Sequence, residues 1–244
     1  MFTFFHRRKK VVVDCFTTDS YAFEYAPIIR GSKAFPSWWT KLPLIGPDDI
    51  NYDLTKKNMR NCYGFLELYK RSIILPSWAD MRFKVTPNDG YSWIKSSGPD
   101  PEEHAKSQYE GGFSDYYHSK LSSPWFLKEK SDIKFLFTEA TWNLENYDFV
   151  MPPGILEFGI NSATNVNILI PKKKSEYSFF IPTGKPLVHL IPIADNLKIE
   201  IKNHLITPAE MYKISPVPST LRGIFPLIES KKRQSKCPFG FKSK

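Results

Sequence analysis

The sequence predicts an α+β protein that is mainly β, with mixed or antiparallel sheets and a few short helices. The main observation is residues 151–193, where short apolar runs alternate with Pro, Gly and Asn and helical periodicity is nearly absent. We expect three or four strands there. A second observation is that clear helix-start signals are few in the rest of the chain.

The N-terminal half shows short apolar runs separated by turn residues. Strands are predicted at residues 11–16, 21–29, 72–75 and 81–85. The first half of residues 59–80 fits a turn of helix, and residues 86–101 are rich in Pro, Asn, Asp, Gly and Ser. We therefore expect this last stretch to be the least ordered interior loop.

Two segments carry helix-start signals. Asp100 is a predicted N-cap, with Pro101 at the first helical position and the helix ending near residues 111–112. Thr207 and Glu210 form a predicted capping box for a helix that reaches about residue 214. Both predicted helices are short.

Strands return in the C-terminal half. They are predicted at residues 125–127, 133–137, 141–144 and 197–201, in addition to those within residues 151–193. Residues 179–193 contain Pro182, Pro186 and Pro192. Because proline cannot donate to a sheet ladder, we expect this ribbon to be an edge, a bulged strand or a crossover.

The net charge of +9 resides at the two ends of the chain. Residues 1–10 and 231–244 hold ten basic and no acidic residues, so the body is close to neutral. We predict a basic tail at residues 1–10, a single mainly-β domain at 11–230 and a basic tail at 231–244. Such tails are typical of solvated ends, of contacts with polyanions or of docking on an acidic partner. The candidate contact residues are Arg7, Arg8, Lys9, Lys10, Lys231, Lys232 and Arg233.

The chain shows no secretory signal pattern and no apolar run as long as a membrane span. Cys15, Cys62 and Cys237 are widely separated and lack metal or disulfide spacing. We expect a soluble protein that is not exported.

Residues 34–43, AFPSWWTKLP, place Trp38 and Trp39 between two prolines. Adjacent side chains on a strand point to opposite faces, so one indole would be exposed or covered by another part of the chain. This pair is the best candidate for a contact surface. In the alternative interpretation, a proline-bracketed turn covers the core with one indole.

Catalytic and metal-binding motifs are weak. The patterns HExxH, GxSxG and GxGxxG are absent, and the Gly184-Lys185 pair lacks the remainder of a phosphate loop. Asp115 and His118 form the nearest metal-like grouping, with Glu102, Glu103 and His104 upstream. Surface charge with chance histidines is the favoured explanation of this grouping, and we expect no cofactor.

Trp and Pro motifs are spaced along nearly the whole chain. They lie in VVVDCFTTDSYAFEYAPI, AFPSWWTKLP, MRNCYGFLELYKRSIILPSWADM, SSPWFL and IPTGKPLVHLIPI. In this order they resemble an uncharacterised family encoded by tailed phages, especially marine ones, and by some bacteria. The resemblance implies a phage context, with the host cytoplasm or the virion as location, and carries over no catalytic residue.

Residues 154–193 are similar in pattern to the closing strands of trimeric dUTPase-like β-clip folds. Gly154–Glu157 matches the start of one motif without its tyrosine, and His189 stands where the second motif has glutamine. The C-terminal glycine-rich phosphate motif is missing. The resemblance implies a β-clip-like scaffold that oligomerises, as an alternative to a sandwich, and argues against nucleotide hydrolysis.

Together these observations predict a non-enzymatic interaction or structural protein that binds a protein partner or its own copies, and the first resemblance implies that it is phage-encoded. The first alternative is an accessory protein that binds nucleic acid non-specifically through the basic tails. The second is a metal-dependent enzyme with a site near Asp115 and His118.

Overall fold

The computed structural model of the chain describes residues 9–44, 58–87, 90–95, 102–103, 109, 112–144 and 147–214. The strands in this part of the chain are β1 (Lys9–Thr17), β2 (Ile29–Arg30), β3 (Ile73–Pro76), β4 (Met81–Thr86), β5 (Gly90–Lys95), β6 (Glu102–Glu103), β7 (Tyr116–Leu121), β8 (Phe126–Glu129), β9 (Lys134–Glu139), β10 (Gly154–Glu157), β11 (Val166–Pro171), β12 (Tyr177–Ile181), β13 (Pro186–Pro192) and β14 (Leu197–Leu205). The α-helices are α1 (Ser20–Tyr25), α2 (Ser37–Thr40), α3 (Tyr63–Arg71) and α4 (Pro208–Ile214). The prediction of a mainly-β α+β protein is confirmed.

The described strands form four sheets. Their strand orders are β14-β1-β8, β10-β9-β13-β3-β2, β11-β7-β6 and β12-β4-β5. β1 and β14 run parallel over nine residue pairs, whereas the other pairings between these strands are antiparallel. The sheets are therefore mixed or antiparallel, as the sequence predicts.

One buried cluster draws residues from all four sheets. Val13 of β1, Phe135 of β9, Ile168 of β11 and Phe83 of β4 each have no more than a trace of exposed surface. These positions alternate with more exposed ones, for example along β4 and β1. Every second side chain of these strands therefore faces the core, and this is the alternation from which the strands were predicted.

The proline-containing ribbon of residues 179–193 becomes β12, a turn and β13. β13 lies inside the five-stranded sheet, between β9 and β3, so it is not an edge strand. Its two prolines are its first and last residues, where they do not interrupt the middle of the ladder. The register against β3 shifts between Pro186 and Val188, which fits the predicted bulged strand.

Residues 21–29 were predicted to be a strand, and this prediction is wrong. They begin with helix α1, and only Ile29 belongs to a strand. The Asp19 carboxylate accepts a 3.0 Å hydrogen bond from the Ala22 backbone nitrogen. This N-cap satisfies a free helical N–H group and outweighs the strand preference of the aromatic residues.

Residues 141–144 were also predicted to be a strand and instead form a 3₁₀ turn, Thr141–Asn143. Asn143 is buried, and its side chain makes two hydrogen bonds to other segments of the chain. The turn is therefore fixed by tertiary contacts that local sequence does not reveal.

The helix predicted after Asp100 is wrong at its first turn, because Glu102–Glu103 is the short strand β6 paired with β7. Asp100, Pro101 and His104 lie outside the described residues. The predicted loop at 86–101 likewise contains β5, which forms a hairpin with β4. Gly90 adopts a φ of +97° where that strand begins, a conformation that glycine adopts readily.

The predicted capping box at Thr207 is confirmed. The Glu210 carboxylate accepts a 2.8 Å hydrogen bond from the Thr207 backbone nitrogen, and the Glu210 nitrogen donates to Thr207 Oγ1 at 3.3 Å. α4 follows and ends, in the described part of the chain, at Ile214.

Candidate functional site

A second, smaller cluster lies where α2 contacts α3, and its buried side chains are all aromatic. Its buried members are Trp39, Phe65 and Tyr69. Phe35 stacks on Trp39 with ring centroids 4.3 Å apart and lies 4.8 Å from the Tyr69 ring. Such contacts add to the free energy of burial because the rings meet in favourable orientations.

Trp39 belongs to the interior of this cluster. Only 7% of its surface is exposed, and its indole nitrogen donates a 2.8 Å hydrogen bond to the Met59 carbonyl. The Arg60 guanidinium lies over the ring, 4.2 Å from its centroid. Trp39 is therefore a core residue and not a contact residue. This agrees with the alternative interpretation, in which one indole covers the core.

Trp38 lies at the border of the cluster and is half-buried. The two tryptophans diverge because α2 is helical, and successive helical side chains point about 100° apart. Trp38 Nε1 donates a 3.1 Å hydrogen bond to the Trp142 carbonyl, and the two rings are 6.0 Å apart. Both rings also contact Phe65.

Trp142 is 44% exposed, an unusual exposure for the largest apolar side chain. We refer to Trp38 and Trp142 as the Trp38/Trp142 patch. The sequence does not mark Trp142 as a contact residue, because residues 141–144 have the pattern of a strand. Its only sequence signal is that it is a sixth tryptophan flanked by polar residues.

A buried hydrogen-bond chain holds this patch in place. The Tyr69 hydroxyl donates to Asn143 Oδ1 at 2.5 Å, and Asn143 Nδ2 donates to the Ala34 carbonyl at 3.1 Å. Asn143 thus joins α3, the segment before α2 and the turn that carries Trp142. Burial raises the pKa of Tyr69 well above its usual range, so its hydroxyl keeps the proton it donates.

His189 and Ser72 form a buried pair next to the Tyr69–Asn143 hydrogen bond. His189 Nδ1 lies 2.9 Å from Ser72 Oγ, and the Tyr69 ring meets the imidazole edge-on at 4.9 Å. His189 is 1% and Ser72 is 2% exposed, so the hydroxyl is closed to a substrate. Desolvation by burial lowers the pKa of His189 to about 4, which keeps it neutral at pH 7. The pair has the atoms of a serine–histidine dyad, but both side chains are shielded from solvent.

The basic residues of the predicted N-terminal tail divide into two groups. β1 begins at Lys9, so Lys9 and Lys10 belong to a strand, and Lys10 makes a 2.6 Å ion pair with Glu200 of β14. Arg7 and Arg8 lie outside the described residues. The C-terminal candidates Lys231, Lys232 and Arg233 also lie outside them.

Asp115 and His118 do not come together with further ligands in the described part of the chain. Asp115 is exposed in the turn before β7, while His118 lies within β7 with its ring 4.9 Å from that of Tyr109. Among the described residues, no group of three or more His, Cys, Asp or Glu side chains could hold a metal ion.

No family model and no curated protein matches the chain. Within the described ranges, no helix is both long and apolar enough to cross a membrane.

Proposed function

We propose that the protein is a non-enzymatic interaction protein that assembles through the Trp38/Trp142 patch. The observation that carries this proposal is the pairing of a half-buried and an exposed tryptophan by the hydrogen bond from Trp38 Nε1 to the Trp142 carbonyl. Tryptophan is strongly enriched among residues that dominate binding energy at protein interfaces.

Buried contacts also anchor the turn that carries Trp142, which favours a role in binding. Asn143 follows Trp142 directly and is fixed by its bonds with Tyr69 and Ala34. A side chain that is ordered before binding loses less conformational entropy when a partner covers it. Phe65 contacts the Trp142 ring and itself stacks on Trp39, and these contacts have the same effect.

The partner we propose is a second copy of this chain. An apolar aromatic surface can face its own copy across a two-fold axis, because the same side chains on both sides attract each other. A surface dominated by one sign of charge would repel its copy. A further apolar side chain shortly after α2, Leu44, is exposed as well.

The phage context belongs to this proposal through the resemblance of the spaced Trp and Pro motifs. In that context the protein is a structural or assembly component, and the basic ends of the chain steer it towards acidic surfaces. Their effect on binding would weaken as salt increases.

Size-exclusion chromatography with light scattering on the full-length protein, over a wide range of concentrations, tests the proposal. We expect a discrete oligomer with the absorbance ratio of pure protein. A monomer at all concentrations would contradict self-assembly. A peak rich in absorbance at 260 nm would instead favour the nucleic-acid alternative.

A further inference from the structure

A cleft of about 590 Å³ lies between α3 and the turn that joins β13 to β14. Its volume is within the range of sites for small molecules. The cations that line it are Arg30, Lys70, Arg71 and Lys198, and the carboxylates are Glu67 and Asp195. The cleft therefore carries an excess of two positive charges.

Two of the cations are paired within the cleft. Arg71 makes a 3.0 Å ion pair with Asp195 and donates a 2.8 Å hydrogen bond to the Ala194 carbonyl, so it fixes the turn to the end of α3. Lys70 lies 3.6 Å from Glu67 on the same helix. These contacts shape the cleft and neutralise both carboxylates.

The other two cations have no carboxylate within ion-pair distance among the described residues. Arg30 donates a hydrogen bond to the Ile199 carbonyl through one nitrogen, which leaves the rest of its guanidinium fork for a ligand. Lys198 is exposed on β14. Glu200, two residues further along that strand, pairs with Lys10 at 2.6 Å and with Lys202 at 3.8 Å.

The position of Arg30 is set by close backbone packing. The Gly31 nitrogen donates a 2.8 Å hydrogen bond to the Ser72 carbonyl at the end of α3. A Cβ at residue 31 would come within 2.2 Å of Ser72 Oγ, so only glycine permits this approach. Arg30 is thus held against both α3 and β14 before any ligand arrives, which lowers the entropic cost of binding.

We propose that this cleft binds a small phosphate monoester, with the phosphate between Arg30 and Lys198 and the organic part near Tyr63. A phosphate monoester is a dianion at neutral pH, which matches the two unpaired cations. The arginine fork can donate two parallel hydrogen bonds to phosphate oxygens. Tyr63, at the rim of the cleft, provides a face for an apolar or aromatic group. The inference does not depend on the Trp38/Trp142 patch.

Isothermal titration calorimetry of the full-length protein with phenyl phosphate at about pH 8, where the phosphate is fully dianionic, tests the proposal. Phenyl sulfate is the matched probe with a single charge. We expect phenyl phosphate to bind at least about tenfold more tightly, because only the dianion satisfies both cations. Absence of binding, or equal affinity for the two probes, would overturn the proposal.

Two lysine variants of equal net charge separate the cleft from the general basicity of the chain. Lys198→Gln removes an unpaired cation of the cleft, whereas Lys128→Gln removes an exposed lysine of β8 that does not line it. We expect Lys198→Gln to weaken phenyl phosphate binding about tenfold and Lys128→Gln to leave it nearly unchanged. Equal weakening by both variants would contradict a specific site.

Discussion

The Tyr69 hydroxyl donates a 2.5 Å hydrogen bond to Asn143 Oδ1, and this contact joins residues 74 positions apart in the sequence. It ties the last turn of α3 to the turn that presents Trp142. Both partners are buried, so water cannot replace the bond. The conformation of the Trp38/Trp142 patch therefore depends on the buried Tyr69–Asn143 hydrogen bond.

Tyr69→Phe should lower the free energy of unfolding by about 1–3 kcal/mol, because Asn143 Oδ1 would stay buried without its donor. Urea denaturation followed by far-UV circular dichroism measures this change. Tyr212→Phe removes the hydroxyl of an exposed tyrosine on α4 and should change stability by less than about 0.5 kcal/mol. Equal effects of the two variants would show that the buried bond does not stabilise the fold.

Gly31→Ala should destabilise the protein by about 1–3 kcal/mol. The new Cβ would lie 2.2 Å from Ser72 Oγ and 2.4 Å from the Tyr69 carbonyl, so the backbone of β2 or α3 must move. Gly64→Ala is the matched control, since nothing lies within 4 Å of a Cβ there and residue 64 is helical. It should stabilise the protein by about 0.5–1 kcal/mol. Thermal unfolding of both variants checks the opposite signs, and destabilisation by both would refute the packing argument.

His189 should make stability decrease in mild acid. Its pKa in the folded protein is about 4, below its ordinary value of 6.5, so the unfolded chain binds this proton first as pH falls. The contribution of neutral His189 is complete above about pH 6.5 and is lost progressively towards pH 4. Over that interval the loss amounts to about 3 kcal/mol.

Urea unfolding at a series of pH values, for the natural protein and for His189→Gln, measures this contribution. The variant removes the titrating group, so its stability should vary less steeply between pH 6.5 and 4, whatever its absolute stability. Identical slopes for the two proteins would show that His189 does not titrate as its burial implies.

Removal of the basic ends should separate two modes of binding. Because β1 begins at Lys9, the deletion should cover residues 1–8 and 231–244, which leaves the strand and the Lys10–Glu200 ion pair intact. Binding to a DNA oligonucleotide, measured by fluorescence anisotropy, should fall strongly, whereas self-assembly should persist. Loss of assembly together with unchanged DNA binding would reverse the roles we assign to the tails and the patch.

Local sequence patterns predicted the elements whose structure is decided locally. Alternating apolar residues predicted β4, and the Thr207 capping box predicted the start of α4. The sequence-based prediction was wrong where a local hydrogen bond outweighed strand preference, as with the Asp19 N-cap of α1. It was also wrong at the Thr141–Asn143 turn, because Asn143 forms hydrogen bonds with Tyr69 and Ala34, which are distant in the sequence.

The candidate site was predictable only in part. The proline-bracketed Trp38 and Trp39 stood out, but only tertiary structure shows that Trp39 is buried and that Trp142 lies beside Trp38. The cleft beside α3 gave no local signal, because Arg71 and Asp195, which pair within it, are 124 residues apart. Sites assembled from distant segments need the fold before they can be recognised.

The most direct test of the Trp38/Trp142 patch compares Trp142→Ser with Phe180→Ser by sedimentation velocity on the full-length protein. The two side chains are 44% and 42% exposed; Trp142 lies in the Thr141–Asn143 turn, whereas Phe180 lies on β12. We predict that Trp142→Ser weakens self-association at least about tenfold, as expected for a tryptophan at the centre of an interface, while Phe180→Ser does not. Unchanged association of Trp142→Ser, or equal weakening by both variants, would contradict assembly through this patch.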